Sequence, residues 1–110
     1  MVSWRKWEVT PLSAPLALTC HRMDGKVVAA VGMAGQMTAV GRSSATVVLD
    51  GAVAVHENLQ LLLEPPGHAT YEAYAKVVAC ASGEVVVAFT MLPEEVQALL
   101  ATYRTPAPGT

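Results

Sequence analysis

Aromatic side chains make up only 5% of the 110 residues, and Phe89 is the sole phenylalanine. That scarcity excludes a platform on which successive bases of a single strand could stack. Charged residues are scarce too, at 15%, while apolar residues reach 53%. A disordered chain has the opposite balance. Basic residues do not dominate: seven against nine acidic, a net charge of −2. This excludes the electrostatic footprint of a DNA-binding domain and a polybasic membrane patch.

Cysteines number two, Cys20 and Cys80, with no C-x-x-C pair. Two are too few for a disulfide scaffold, and both read as reduced, buried, small apolar residues. Cys20 is followed by His21, but neighbours on a strand point to opposite faces and do not pair. The longest uncharged stretch, Val27 to Gly41, is broken by Gly32, Gly35, Gln36 and Thr38. It is shorter than the roughly 18 apolar residues of a membrane span. After Arg5 and Lys6 no apolar run follows, so no signal peptide is expected. The expected location is the cytoplasm, without direct membrane insertion.

Catalytic and ligand motifs are missing as well. His21, His56 and His68 form no H-x-x-x-H or H-E-x-x-H pattern. A zinc set would need distant Cys20, His21, His68 and Cys80, so no metal and no cofactor are expected. Ser43-Ser44 lies in no G-x-S-x-G elbow, and Gly32, Gly35 and Gly41 form neither G-x-x-x-x-G-K nor G-x-G-x-x-G. Asp24 and Asp50 each precede a glycine, which turn formation explains. No catalytic residue is assigned, and the expectation is that the chain is not an enzyme.

What the chain does contain is valine and alanine in short runs separated by turn residues. Leu16 to Met23 reads as a first strand, entered past Pro11 and Pro15, with Asp24-Gly25 as a tight turn. Lys26 to Val31 reads as its returning partner, and Gln36 to Val40 as a continuation after a bulge at Gly32 or Gly35. Thr46 to Leu49 and Leu59 to Glu64 read as strands, with Val53 to Glu57 a short extended segment between them. Pro65-Pro66-Gly67 breaks the ladder. Tyr71 to Cys80 alternates, with Tyr71, Ala73, Ala75, Val77 and Ala79 on one face. After Ser82-Gly83, Glu84 to Thr90 is the last strand.

The period then changes. Pro93 opens a helix, Glu94 and Glu95 suit its positive end, and Val96, Leu99, Leu100 and Tyr103 share a face. The pattern predicts a mainly β fold: a six-stranded antiparallel barrel with a C-terminal helix. It is expected to be one domain, residues 1–104, with 105–110 as a flexible tail. The mean hydropathy of +0.40 implies apolar surface covered by a homo-oligomer or by a partner protein.

This order of elements resembles the PilZ domain family, six-stranded bacterial barrels of which many bind cyclic di-GMP. The resemblance rests on Val86-Val87-Ala88-Phe89-Thr90-Met91-Leu92-Pro93-Glu94-Glu95 at the entry to the helix. It rests also on Pro11-Leu12-Ser13-Ala14-Pro15-Leu16-Ala17-Leu18 at the first strand. The family's R-x-x-x-R falls on Arg5 to Val9, where Val9 replaces the second Arg. Its D-x-S-x-x-G falls on Ala39 to Ser44, where Ala39, Gly41 and Ser44 replace the three defining residues. Paired guanidinium groups recognise phosphates and guanine edges by charge-assisted bonds. The resemblance therefore implies a degenerate member: a non-catalytic signalling or adaptor domain acting through protein contacts. Interface candidates are Trp4, Trp7, Leu99 and Tyr103, although Trp4 and Trp7 serve equally well as caps of their own barrel. The alternative is a receptor for cyclic di-GMP, or another nucleotide, held by Arg5 and Arg42.

Overall fold

The structure, a computed structural model, describes residues 9–81 and 83–103. The chain runs β1 (Thr10–Asp24), β2 (Val27–Val28), β3 (Met33–Val40), β4 (Ser44–Leu49), β5 (Asn58–Leu63), β6 (Tyr71–Ala81), β7 (Glu84–Met91) and α1 (Glu94–Tyr103). The strand order is β2-β1-β3-β4-β7-β6-β5, and β1 also pairs with β5. Every pairing is antiparallel. Six strands thus close into a barrel, with β2 a short extension beside β1. The expected barrel and terminal helix are both present.

Closure depends on the length of β1. Leu16–Cys20 pair with Met37–Met33 on one side, and Leu18–Met23 pair with Leu63–Asn58 on the other. Alternate residues point inward. Leu16, Leu18, Cys20, Met37, Val47, Leu59, Leu61, Leu63, Val77 and Val87 are fully or almost fully buried. Branched aliphatics and alanine fill the interior, which is why so few aromatics suffice. Val96 and Leu100 of α1 join this core, and docking stabilises a helix too short to persist alone.

β1 starts six residues earlier than the sequence suggests, because its ladder is interrupted. Pro11 pairs with Ala39 and Leu16 with Met37, so residues 12–15 stand opposite Thr38 alone. An interrupted ladder tolerates Pro15, which has no N–H to give.

The returning strand departs further from expectation. Only Val27–Val28 of the Lys26 to Val31 run is strand. Met23 pairs with Val28 and Cys20 with Met33, so two residues of β1 face four, 29–32, on the other arm. β3 is therefore the continuation of β2 after a two-residue insertion. The Ala29 N–H donates to the Arg22 carbonyl at 2.8 Å, and His21 Nδ1 donates to the Ala29 carbonyl at 2.8 Å. A Cβ on Gly32 would lie 2.6 Å from Thr19 Cγ2 and 2.9 Å from His21. Only glycine lets the chain pass so close. Val31, 84% exposed, bulges outward.

Val53 to Glu57 is not extended. It folds into a turn in which His56 takes a φ of 79°. The His56 N–H donates to the Val77 carbonyl and the Val77 N–H to the Glu57 carbonyl. This pairing sits where the β6–β7 register shifts between Val77 and Ala79. The alternation of β6 accordingly holds from Ala73 to Val77 and lapses at Ala79, which is only half-buried.

Candidate functional site

Arg42 sits in the turn joining β3 to β4. The Gly41 N–H donates to the Ser44 carbonyl at 2.7 Å, and the Phe89 N–H of β7 donates to the Ser43 carbonyl at 2.8 Å. The turn is thus fixed from both sides. Gly41 is buried, and Arg42 and Ser43 are exposed. Beside them lies a cavity of about 270 Å³, walled by Val40, Gly41, Leu92, Gln97 and Leu100. The Gln97 amide donates to the Leu92 carbonyl at 3.0 Å, tying the helix to the end of β7. Arg42 has no ion-pair partner among the described residues.

The neighbouring positions carry little polarity. Ala39 and Gly41 are buried. The Ser44 hydroxyl is buried with no hydrogen-bond partner among the described residues. One guanidinium at the rim of a shallow cavity can hold a single carboxylate or phosphate group. It cannot by itself clamp two phosphates. No cluster of three metal-ligating side chains occurs among the described residues.

The structure brings Arg42 together with α1. Leu99 and Tyr103 are half-buried and pack against the barrel core. Arg5, Trp4 and Trp7 lie outside the described residues.

One polar contact has no signal in the sequence. Arg22 of β1 holds Glu57 by two bonds: Nε to Oε2 at 2.8 Å and Nη2 to Oε1 at 2.6 Å. Glu57 also accepts from the Ala54 N–H at 3.3 Å. These hydrogen bonds, chiefly that from Arg22, pull the Glu57 carboxyl below the ordinary carboxylate range. The partners are 35 residues apart, and only the β1–β5 pairing makes them neighbours.

The cysteines separate clearly. Cys20 is buried in the core, and burial first, then the Glu57 charge, pushes its thiol up to about 11. A thiol so protonated is a poor nucleophile. Cys80, expected to be buried, is exposed, because it lies past the register shift where the inward alternation of β6 lapses; its Sγ is 3.6 Å from the Val53 carbonyl. Iodoacetamide at about pH 8 is expected to label one thiol of the folded protein, Cys80, and a second only after denaturation. Peptide mapping by mass spectrometry checks this.

No family model matches the chain, and no curated protein sequence matches it. Among solved structures, the crystal structure of the PilZ domain of CeSA from a cellulose-synthesising bacterium is similar. It is 11% identical, with a TM-score of 0.57 over 82% of this chain and 89% of that one. The likeness is one of fold. The closed antiparallel barrel with its C-terminal helix is a PilZ-like domain, the architecture that the residues around Phe89 and Pro93 suggest.

Proposed function

We propose that the chain is a non-catalytic interaction domain of bacterial signalling, working through protein contacts and not as a nucleotide receptor of the usual PilZ kind. The observation that carries this reading is the composition of the β3–β4 turn. Where the family pattern has Asp and Ser, this chain has the buried, apolar Ala39 and Gly41, and only Arg42 offers charge. Cyclic di-GMP carries two phosphates and two guanine edges. Its recognition needs several convergent donors, and bidentate guanidinium contacts are among the strongest available to phosphates.

The receptor reading has one observation in its favour. Arg42 is exposed beside a cavity and free of ion pairs among the described residues. Joined by Arg5, it would supply two cations. Isothermal titration with cyclic di-GMP at physiological salt separates the two. The adaptor reading expects no saturable heat up to roughly 100 µM ligand. Micromolar binding that disappears in both Arg42→Ala and Arg5→Ala would establish the receptor instead.

A further inference from the structure

The two ends of the barrel are closed in different ways. At one end α1 docks beside Val40 and Gly41 and sends Val96 and Leu100 into the core. At the other end, residues 51–57 cross from the end of β4 to the start of β5. Gly51, Ala52, Ala54, Val55 and His56 are exposed there, and only Val53 and Glu57 are partly buried. Val53 is the single apolar anchor of the crossing, packed against the core.

The other attachments are polar and lie at the surface. The His56 N–H donates to the Val77 carbonyl at 2.8 Å, the Val77 N–H to the Glu57 carbonyl at 2.9 Å, and the Glu57 N–H to the Ala54 carbonyl at 3.1 Å. The Cys80 thiol donates to the Val53 carbonyl. Arg22 grips the Glu57 carboxylate with two bonds. Asp24, Asp50 and Glu84 also stand at this end, but Glu57 is the carboxylate that Arg22 holds. Where water competes for the same groups, each such bond adds little net stability. His56, at a φ of 79°, holds a backbone conformation that is unfavourable for a residue with a Cβ, and opening relieves it. Open space flanks the crossing. A cavity of about 360 Å³ lies beside Arg22, Ala29 and Glu57, and one of about 570 Å³ beside Asp50, Val53 and Cys80.

We infer that residues 51–57 form a strap that opens by itself while the barrel stays folded, with the Arg22–Glu57 pair as its clasp. One buried anchor and a set of exposed hydrogen bonds are the marks of a segment that opens well below the free energy of global unfolding. Opening lifts Val53 from the core and uncovers Met33, over which Gly51 lies. The α1 end has no part in the motion. The inference is independent of whether the Arg42 cavity binds a nucleotide.

Native-state hydrogen exchange of the full chain, followed by NMR at low denaturant concentrations, tests it. The amides of His56, Glu57 and Val77 should be at least about tenfold less protected than those in the middle of β4 and β5. Their exchange should barely respond to denaturant, since little surface is exposed. Glu57→Gln keeps an acceptor for the Ala54 N–H and removes the charge. It and Arg22→Gln should each speed the three strap amides about two- to fivefold, and the double variant should go no further than the singles. Glu84→Gln loses the same charge at the same end and should leave them unchanged. Val96→Ala weakens the whole domain from the α1 end. It should speed the mid-strand amides and leave the strap amides alone. Strap amides that share the denaturant slope of β4 and β5, or that accelerate with Val96→Ala, overturn the inference. So does a Glu57→Gln chain whose strap exchanges as slowly as the wild type.

Discussion

Val96→Asp is expected to lower the melting temperature by roughly 15–30 °C, or to abolish the cooperative transition. Val96 is fully buried where α1 meets the core, together with Leu100. A carboxylate there either ionises without a partner or is held neutral, and each route costs several kcal/mol. Domains of this size have only about 5–15 kcal/mol in total, and 1 kcal/mol is worth about 4–8 °C. The control is Ala98→Asp, two residues further along and exposed, which should cost only about 1 kcal/mol, from lost helix propensity and its like charge toward Glu94 and Glu95. Thermal denaturation followed by circular dichroism measures both. Equal effects would mean that α1 does not depend on the barrel for its position.

Gly35→Ala should cost about 1–3 kcal/mol although it adds a single methyl group. Gly35 lies between two strands, paired with Leu18 of β1 on one side and with Leu49, the last residue of β4, on the other. A Cβ there would come 2.6 Å from the Val48 carbonyl oxygen and 2.8 Å from Leu49 Cδ2. The first obstacle is backbone belonging to the neighbouring strand, so it cannot step aside without breaking the ladder. Gly51→Ala makes the comparison sharp. Its Cβ would meet Met33 Sδ at 2.5 Å, but a methionine side chain has three rotatable bonds and can move. Chemical denaturation should show Gly35→Ala losing clearly more stability than Gly51→Ala. The reverse order would mean that β3 and β4 slide apart easily.

Much of this fold is legible in the residues because most strands have one face in the core. Tyr71 to Val77 alternate, and Leu59, Leu61 and Leu63 fall on one side, so register and orientation follow from pattern alone. The Pro93 helix start is equally plain. Two places were not legible, for different reasons. Val27 to Val31 is apolar at every position, so nothing in it marks which residues face inward, and the two-residue insertion leaves no trace. Val53 to Glu57 opens on a valine-bearing apolar run that suits a strand but folds as a turn. Its bonds run to Val77 on β6 and to Arg22, 35 residues before Glu57, and contacts at such range have no local signature. The candidate site divides similarly. Arg42 between two turn residues is visible as an exposed cation. Its cavity is not, because Leu92, Gln97 and Leu100 reach it from an element about 50 residues later.

The double pairing of β1 governs the order of assembly. β1 is the earliest of the described strands, and its β3 edge can be satisfied by a hairpin soon afterwards. Its other edge waits for Asn58–Leu63, which lie at least 35 residues beyond their partners. A nascent chain shorter than that carries β1 with a row of unpaired backbone groups, able to pair with any strand nearby. Sealing the barrel means closing that long loop before its contacts repay the lost entropy, so folding should fall in the millisecond-to-second range of barrel topologies. The helix, local and last, can then lock only a barrel that has already shut.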